Sequence, residues 1–546
     1  MSNKRKKAKK GKIKNISYNK NKPFYFSNIN KYFKFLVLIF VFIAIYSYIF
    51  DSKFDLNGDN FVYYFLGKQI ASGKGYTVPL QPDNPPAKKF PPGYPVIIAL
   101  VLKLFGDSVV LLKVLNGLLF LGSILITFLL IKELTGIPNL SFVISILLLL
   151  NKFLCRFSTI LMSEIPYLFF TLLSIFILNK VVTEERPERS KQFYLIIVTS
   201  ILAFYIRPVG LSLLVSIILF LLFKKRLKLA VIASAGFLLL YLPWMIRNFI
   251  FGIKSRYFNV IFISNPWRPE TGKVSTITDF LNKIVNNFNE IALKGFIDVI
   301  FPFIKINYNT NSALGILAGF IVLFVIFYGA IKVKKINLFL LFYLITNLGI
   351  LILWHGGNGP RYVIPLAPFI SLCFYFGIFK LLQIVTTSNK QFYYLPFLFL
   401  ILVPFMINSL KEIRLQAKSS YPPSYRNYFL AAQYLEKNSP KGAIICARKP
   451  WILYFYCKRY IYNYLFTSDD KKLIKDLVDK DVDYVVLDQL GYSSTYIYLL
   501  PAIKKNPTLF KPVLRLQNPD TYVLLFNKSG AKNLINSNSL NKNPFP

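Results

Sequence analysis

The chain has 546 residues, 54% of them hydrophobic, with a mean hydropathy of +0.47. Apolar runs of roughly 20 residues recur along it, each long enough to cross a bilayer core of roughly 30 Å as a helix, which excludes a soluble protein. The 66 Lys and Arg against 24 Asp and Glu leave a net charge of +42. In a soluble chain that balance would point to nucleic acid. Here it suits cytoplasmic loops lying against anionic lipid, so nucleic acid is not an expected partner.

Residues 1–22 carry ten Lys or Arg and no acid, the pattern of a solvated tail. A basic block ahead of the first apolar run, residues 32–50, holds residues 1–30 in the cytoplasm and sends the first helix outward. No small-x-small site follows that run, so it reads as a retained helix and not as a cleaved signal. Residues 51–108 form the first extracytoplasmic loop. Ten more apolar runs follow, at 109–131, 140–157, 166–182, 193–206, 209–223, 229–246, 312–331, 336–354, 362–379 and 392–409. The expectation is a polytopic α-helical membrane protein with eleven spans in a region covering residues 31–410. Basic blocks at 224–228 and 332–335 then fall inside, as the positive-inside tendency requires.

From residue 411 polar residues rise and the apolar runs shorten. Residues 424–437 read as an amphipathic helix, 443–446 as a short strand, 471–480 as a charged helix and 483–487 as a β-branched strand. Residues 511–516 and 521–526 read as a hairpin around Asn518-Pro519-Asp520. Helices alternating with strands predict a small α/β domain over residues 411–527, extracytoplasmic because the span count is odd. The Asn-, Ser- and Lys-rich end, residues 528–546, reads as disordered. Cys155 and Cys373 lie in apolar runs, whereas Cys446 and Cys457 lie in this outer domain, where a disulfide between them is open. His355 is the single histidine, so a His-based metal site is not expected.

Two carboxylates stand out on the outer side. Asp59 follows the first helix, and Asp51, Asp55 and Asp59 recur every four residues, so on a helix they would share one face. Glu164, in Met162-Ser163-Glu164-Ile165-Pro166, stands where a helix begins. Each has a plain reading, as a solvated loop acid or as a charge favouring a helix N-terminus. Each is also an acid at a membrane boundary, able with the other to deprotonate and orient a hydroxyl. Lys88, Lys89, Arg156, Arg247 and His355 map to the same side. Arg207 in Tyr205-Ile206-Arg207-Pro208 and Arg361 in Gly359-Pro360-Arg361-Tyr362 sit at helix boundaries, where an Arg either snorkels to headgroups or holds a phosphate.

In order along residues 30–380 come Gly58-Asp59-Asn60 with Tyr63-Tyr64, Gly73-Lys74-Gly75-Tyr76 and Phe90-Pro91-Pro92-Gly93-Tyr94-Pro95. Leu104-Phe105-Gly106, Ser163-Glu164, Tyr241-Leu242-Pro243-Trp244 with Arg247-Asn248, and Arg361-Tyr362 with Pro365 and Pro368 follow. This series resembles the GT-C membrane glycosyltransferases, in particular the protein O-mannosyltransferase and aminoarabinose transferase group (glycosyltransferase family 39 and relatives). The resemblance implies a GT-C fold in the cell membrane, a polyprenyl-phosphate sugar donor, and transfer with inversion to a lipid, glycan or protein acceptor on the extracytoplasmic face. It implies Asp59 as general base, Glu164 as the second acid, and a substrate- and phosphate-binding set of Arg361, Arg207, Lys89, Tyr63, Tyr94 and His355. Phe90 directly precedes the Pro-Pro pair, where the aminoarabinose-transferase relatives often carry Lys, and Lys89 stands one place earlier. The extended acidic pair of the metal-dependent oligosaccharyltransferase branch is missing, so neither a metal nor a cofactor is expected. A transporter or flippase would place acids within the spans and show inverted repeats. A non-catalytic receptor or assembly protein would need neither Asp59 nor Glu164.

Overall fold

The structure, a computed structural model, describes residues 24–540 except 57, 255, 256, 264, 271, 358 and 386–393. Most of the basic tail expected at 1–30 lies outside the described residues.

Each of the eleven apolar runs is mainly helical over its described residues. Among the described residues seven helices are long and apolar enough to cross a membrane, or eight if the pair Pro138–Leu149 and Lys152–Ser158, bent by 62°, is one span. Lys191–Ile206, Pro208–Phe223 and Asn337–Leu353 are shorter. A 16-residue helix such as Lys191–Ile206 reaches only about 24 Å, short of a bilayer core of roughly 30 Å. The expected count of eleven spans is therefore not confirmed by length. The breaks have local causes. The Asn151 side chain accepts from the backbone N–H of Phe153 and Leu154 and so starts a new helix, and Pro208 ends the helix before it at Arg207. Large apolar side chains left exposed on these helices, among them Phe40, Leu239, Phe324 and Ile401, suit contact with lipid.

The segment between residues 51 and 59 is not a helix among the described residues, and its three acids do not share a face. Asp51 pairs with buried Lys113 (2.8 Å), Asp55 with Arg156, and Asp59 with Lys89 (2.7 Å). Three separate cations outweigh the weak helix preference of a short polar run. The loop then forms two helices that were not expected, Asn60–Ala71 and the apolar Gly93–Phe105. They pack tightly, and Gly93 lies so close to the Tyr205 carbonyl that a Cβ there would stand 2.6 Å from its oxygen. The Phe-Pro-Pro-Gly-Tyr-Pro block is thus a helix start wedged against the Arg207 turn.

The C-terminal part holds a five-stranded sheet. Its strands are β1 (Ile444–Cys446), β2 (Tyr460–Tyr462), β3 (Tyr484–Leu487), β4 (Phe510–Leu516) and β5 (Thr521–Phe526), in the order β2-β1-β3-β5-β4. β1 runs parallel to β2 and β3, while β5 is antiparallel to β3 and β4. Helices Pro423–Asn438 and Asp470–Asp479 and the β4–β5 hairpin match the sequence reading. β2 and helix Pro450–Cys457 were not foreseen. That helix lays Trp451, Tyr454 and Phe455 against Phe54, Phe61 and Phe65 of the first loop, and Ile461 of β2 donates to the Leu80 carbonyl (2.7 Å). The sheet is in this way docked onto the loop that carries Asp59. Cys446 and Cys457 are both buried and free, so they form no disulfide. The stretch from residue 528, expected to be disordered, begins as helix Lys528–Leu540. Lys528 pairs with Asp481 and Asp483, each at 2.7 Å, and Ala531 is fully buried, contacts that composition does not reveal.

Candidate active site

Four backbone features place the charged groups. Asp59 is the residue immediately before helix Asn60–Ala71, following Gly58 at a φ of +67°. That left-handed geometry favours glycine and helps end the irregular loop. Glu164 is the first residue of helix Glu164–Val181. Arg207 is extended, at the junction where Pro208 separates two helices. Arg361 lies in the short turn Gly359–Tyr362, which Glu290 holds by accepting from the backbone N–H of Gly357 (2.9 Å) and Gly359 (3.1 Å).

These elements bring the two acids to one arginine. Arg361 Nε donates to Glu164 Oε1 at 2.8 Å, and its other end lies 3.8 Å from Asp59 Oδ2. Arg207 meets the same Glu164 oxygen at 2.7 Å and also donates to Ser163 Oγ at 3.2 Å. Lys89 Nζ takes the other Asp59 oxygen, Oδ1, at 2.7 Å. Three cations thus surround two carboxylates, one positive charge in excess. Glu164 is fully buried and among the described residues its Oε2 accepts no hydrogen bond, whereas Lys89 is 61% exposed. Glu164 therefore belongs to the wall and Lys89 to the mouth.

Burial pushes the Asp59 carboxyl up, but Lys89, Arg361 and the more distant Lys449 outweigh it and hold the group below the ordinary carboxylate range. Asp59 is therefore ionised at neutral pH. Burial also works against the charge on Arg361, and Glu164 and Asp59 more than restore it.

The other expected residues divide. Tyr63 joins the cluster, its hydroxyl 3.1 Å from Ser163 Oγ, with its ring against Phe90 and Tyr94. Tyr94 is one layer behind, where it donates to Asn116 Oδ1 (3.1 Å) and supports Tyr63. His355 stands aside, against the rings of Trp354 and Tyr362, and reaches the cluster through the turn that bears Arg361. Arg247 donates to the carbonyls of Tyr76 (3.3 Å) and Ala87 (2.9 Å) and stacks on Tyr76 and Trp244, so it anchors the strap leading to Lys89. Ser163, Glu290 and Lys449 were missed as contributors. Ser163 had a signal, its place beside Glu164, but Lys449 comes from the C-terminal part and had none. Among the described residues no three His, Cys, Asp or Glu side chains gather as a metal site would require. Both acids are instead engaged by cations.

A family model described as "Dolichyl-phosphate-mannose-protein mannosyltransferase" matches residues 89–247, less than a third of the chain. No protein of curated function matches in sequence. Among solved structures, ArnT from Cupriavidus metallidurans bound to undecaprenyl phosphate superposes with a TM-score of 0.55 at 12% identity, over 90% of this chain and 97% of that one. Its apo form gives 0.55 at 14% identity, over 90% and 98%. The Archaeoglobus fulgidus oligosaccharyltransferase in complex with Zn and sulfate gives 0.56 at 14% identity, over 90% of this chain and 73% of that one. The chain has the GT-C fold, a multi-pass bundle with a small C-terminal sheet, and its resemblance is to the mannosyltransferase and ArnT-like group.

Proposed function

We propose that this GT-C chain is a glycosyltransferase that moves a sugar from a polyprenyl-phosphate carrier to an acceptor hydroxyl on the extracytoplasmic face, with inversion. The observation that carries the reading is the shared arginine: Arg361 ties Asp59 and Glu164 into one cluster with Arg207 and Lys89. A single displacement needs a base on the incoming oxygen and fixed positive charge on the departing phosphate. Asp59, ionised and partly exposed, takes the acceptor proton. The acceptor oxygen then bonds to the anomeric carbon as the bond from that carbon to the phosphate oxygen breaks. The electron pair leaves on the carrier phosphate, and attack from the opposite face inverts the centre.

Arg361 and Arg207 are held rigid by Glu164, so Glu164 acts as an orienting counter-charge and not as a proton acceptor. Lys89 occupies Asp59 Oδ1 while its side chain stays largely exposed. A donor phosphate offers that ammonium a second anion, and its transfer to the phosphate frees Asp59 for the acceptor. The family-model match to residues 89–247 and the fold shared with an undecaprenyl-phosphate-bound relative support the donor class.

The test is sugar transfer from a radiolabelled polyprenyl-phosphate hexose to native membranes, with purified wild type and Asp59→Asn. Transfer by wild type and a loss of about 10²–10⁴-fold or more in the variant is expected. Equal transfer by both removes Asp59 as the base.

A further inference from the structure

The C-terminal sheet carries a second group of chemistry-bearing side chains. After β1 the chain leaves through helix Pro450–Cys457 to β2, on one side of the sheet. After β3 it leaves through residues 495–505 towards β4, on the other. β1 and β3 are adjacent and parallel and their connections leave in opposite directions, so their carboxyl ends mark a topological switch point, the place where open α/β sheets form a ligand crevice.

The residues there are not a random surface. Arg448 and Lys449 follow β1, and Asp488, Tyr492 and Ser494 follow β3. Asp488 is 1% exposed; its Oδ1 accepts from the Leu490 N–H at 3.0 Å, yet its Oδ2 is buried without a hydrogen bond among the described residues. An ionisable acceptor left buried and unsatisfied costs stability unless something uses it. Arg448 donates through Nε to Ser494 Oγ (2.6 Å), and its guanidinium lies among three rings, 4.7 Å from Tyr492, 5.1 Å from Phe466 and 5.5 Å from Trp267. Trp267 itself is 54% exposed, on a loop tied to this face by Glu270 through Tyr498 (2.9 Å) and Ser468 (3.1 Å). Lys449 lies over the Tyr492 ring at 4.5 Å and directly precedes helix Pro450–Cys457, whose Trp451 and Phe455 pack on Phe65 and Phe61 of the helix that begins next to Asp59, so this end of the sheet lies on the side of the proposed base.

We propose that this crevice holds a saccharide unit of the acceptor beside the hydroxyl that Asp59 deprotonates. The inference rests on the glycosyl-transfer reading and names the acceptor class for it. The chemistry selects a sugar. Asp488 Oδ2 can accept from a hydroxyl, which a sugar offers and an ionised phosphate does not. Arg448 supplies donors to a neighbouring hydroxyl, and the exposed Trp267 ring suits the C–H face of a pyranose.

Binding is measured on the full-length chain in detergent by saturation-transfer NMR, with methyl α-mannoside, methyl β-glucoside and methyl β-galactoside as probes and no donor present. At least one hexoside is expected to bind. Asp488→Asn, which keeps the oxygen that accepts from Leu490, and Arg448→Lys, which keeps the charge, are each expected to weaken it at least tenfold with melting midpoints near wild type. The proposal is overturned if none of the three hexosides binds, if both crevice variants bind as wild type does, or if polyprenyl phosphate alone displaces the hexoside, which would make the crevice the donor's. Failure of the transfer reading looks different: hexoside binding with this residue dependence, but no transfer from any polyprenyl-phosphate donor.

Discussion

Glu164 offers the sharpest test of the charge cluster. Glu164→Gln keeps the shape of the side chain but removes the charge that two guanidinium groups share, at 2.7 Å from Arg207 and 2.8 Å from Arg361. At an effective dielectric of about 20, a charge pair near 4 Å is worth about 4 kcal/mol, and removing one member of a buried pair costs about 3–5 kcal/mol because the other is left uncompensated. With an unfolding entropy of about 2.1 cal/mol/K per residue over 546 residues, that corresponds to a melting midpoint lower by about 3–4 °C. The assay is a thermal melt of the detergent-solubilised chain for Glu164→Gln, Arg207→Gln and the double variant. The double variant loses one cation along with the acid, so it is expected to be more stable than the two single losses added together, with a coupling of at least about 1 kcal/mol. Wild-type melting of Glu164→Gln, or strict additivity in the double variant, would refute the view that Glu164 is the counter-charge holding the two arginines.

Three further outcomes follow from individual contacts. Lys89 is the largest influence lowering the Asp59 carboxyl, so Lys89→Ala is expected to raise that pKa and move the acid limb of the kcat/KM profile to higher pH; an unmoved limb would remove the pair from the mechanism. Gly93→Ala places a Cβ 2.6 Å from the Tyr205 carbonyl and is expected to cost about 1–3 kcal/mol, read as a lower melting midpoint. Arg247→Ala takes the guanidinium donor from the Ala87 carbonyl, leaves the Tyr76 carbonyl with the Ala87 N–H alone, and loosens the strap that leads to Lys89, so the KM for a polyprenyl-phosphate hexose is expected to rise more than kcat falls.

Much of the bundle was legible because lipid permits few solutions: an apolar run must become a helix there, whatever its neighbours do. The motifs also marked the acids and arginines that the fold brings together. Span lengths were less legible, since a single Asn151 breaks the run 140–157 that composition joins. The sheet was half visible. Strands with a strong β-branched or hairpin pattern, such as β3 and β5, stood out, while β2 is only three residues long and is defined by β1 on one side and Leu80 on the other.

The spacing of Asp51, Asp55 and Asp59 shows why local pattern fails where charge is being organised. A spacing of four reads as one helical face, and helix propensity among such residues differs by only about 0.7 kcal/mol per position. Pairing a partly buried carboxylate is worth several times that. The chain therefore gives up regular structure and sends each acid to its own cation: Lys113 on the helix Val109–Thr135, Arg156 on Lys152–Ser158, and Lys89 on the loop ahead of Gly93. The first two pairs fasten the loop to the bundle. Only the third joins an acid to a largely exposed cation, and only Asp59 of the three also lies within reach of Arg361. The same repeat of residues thus yields two anchors and one acid in the charge cluster, and the difference lies in partners far away in the sequence.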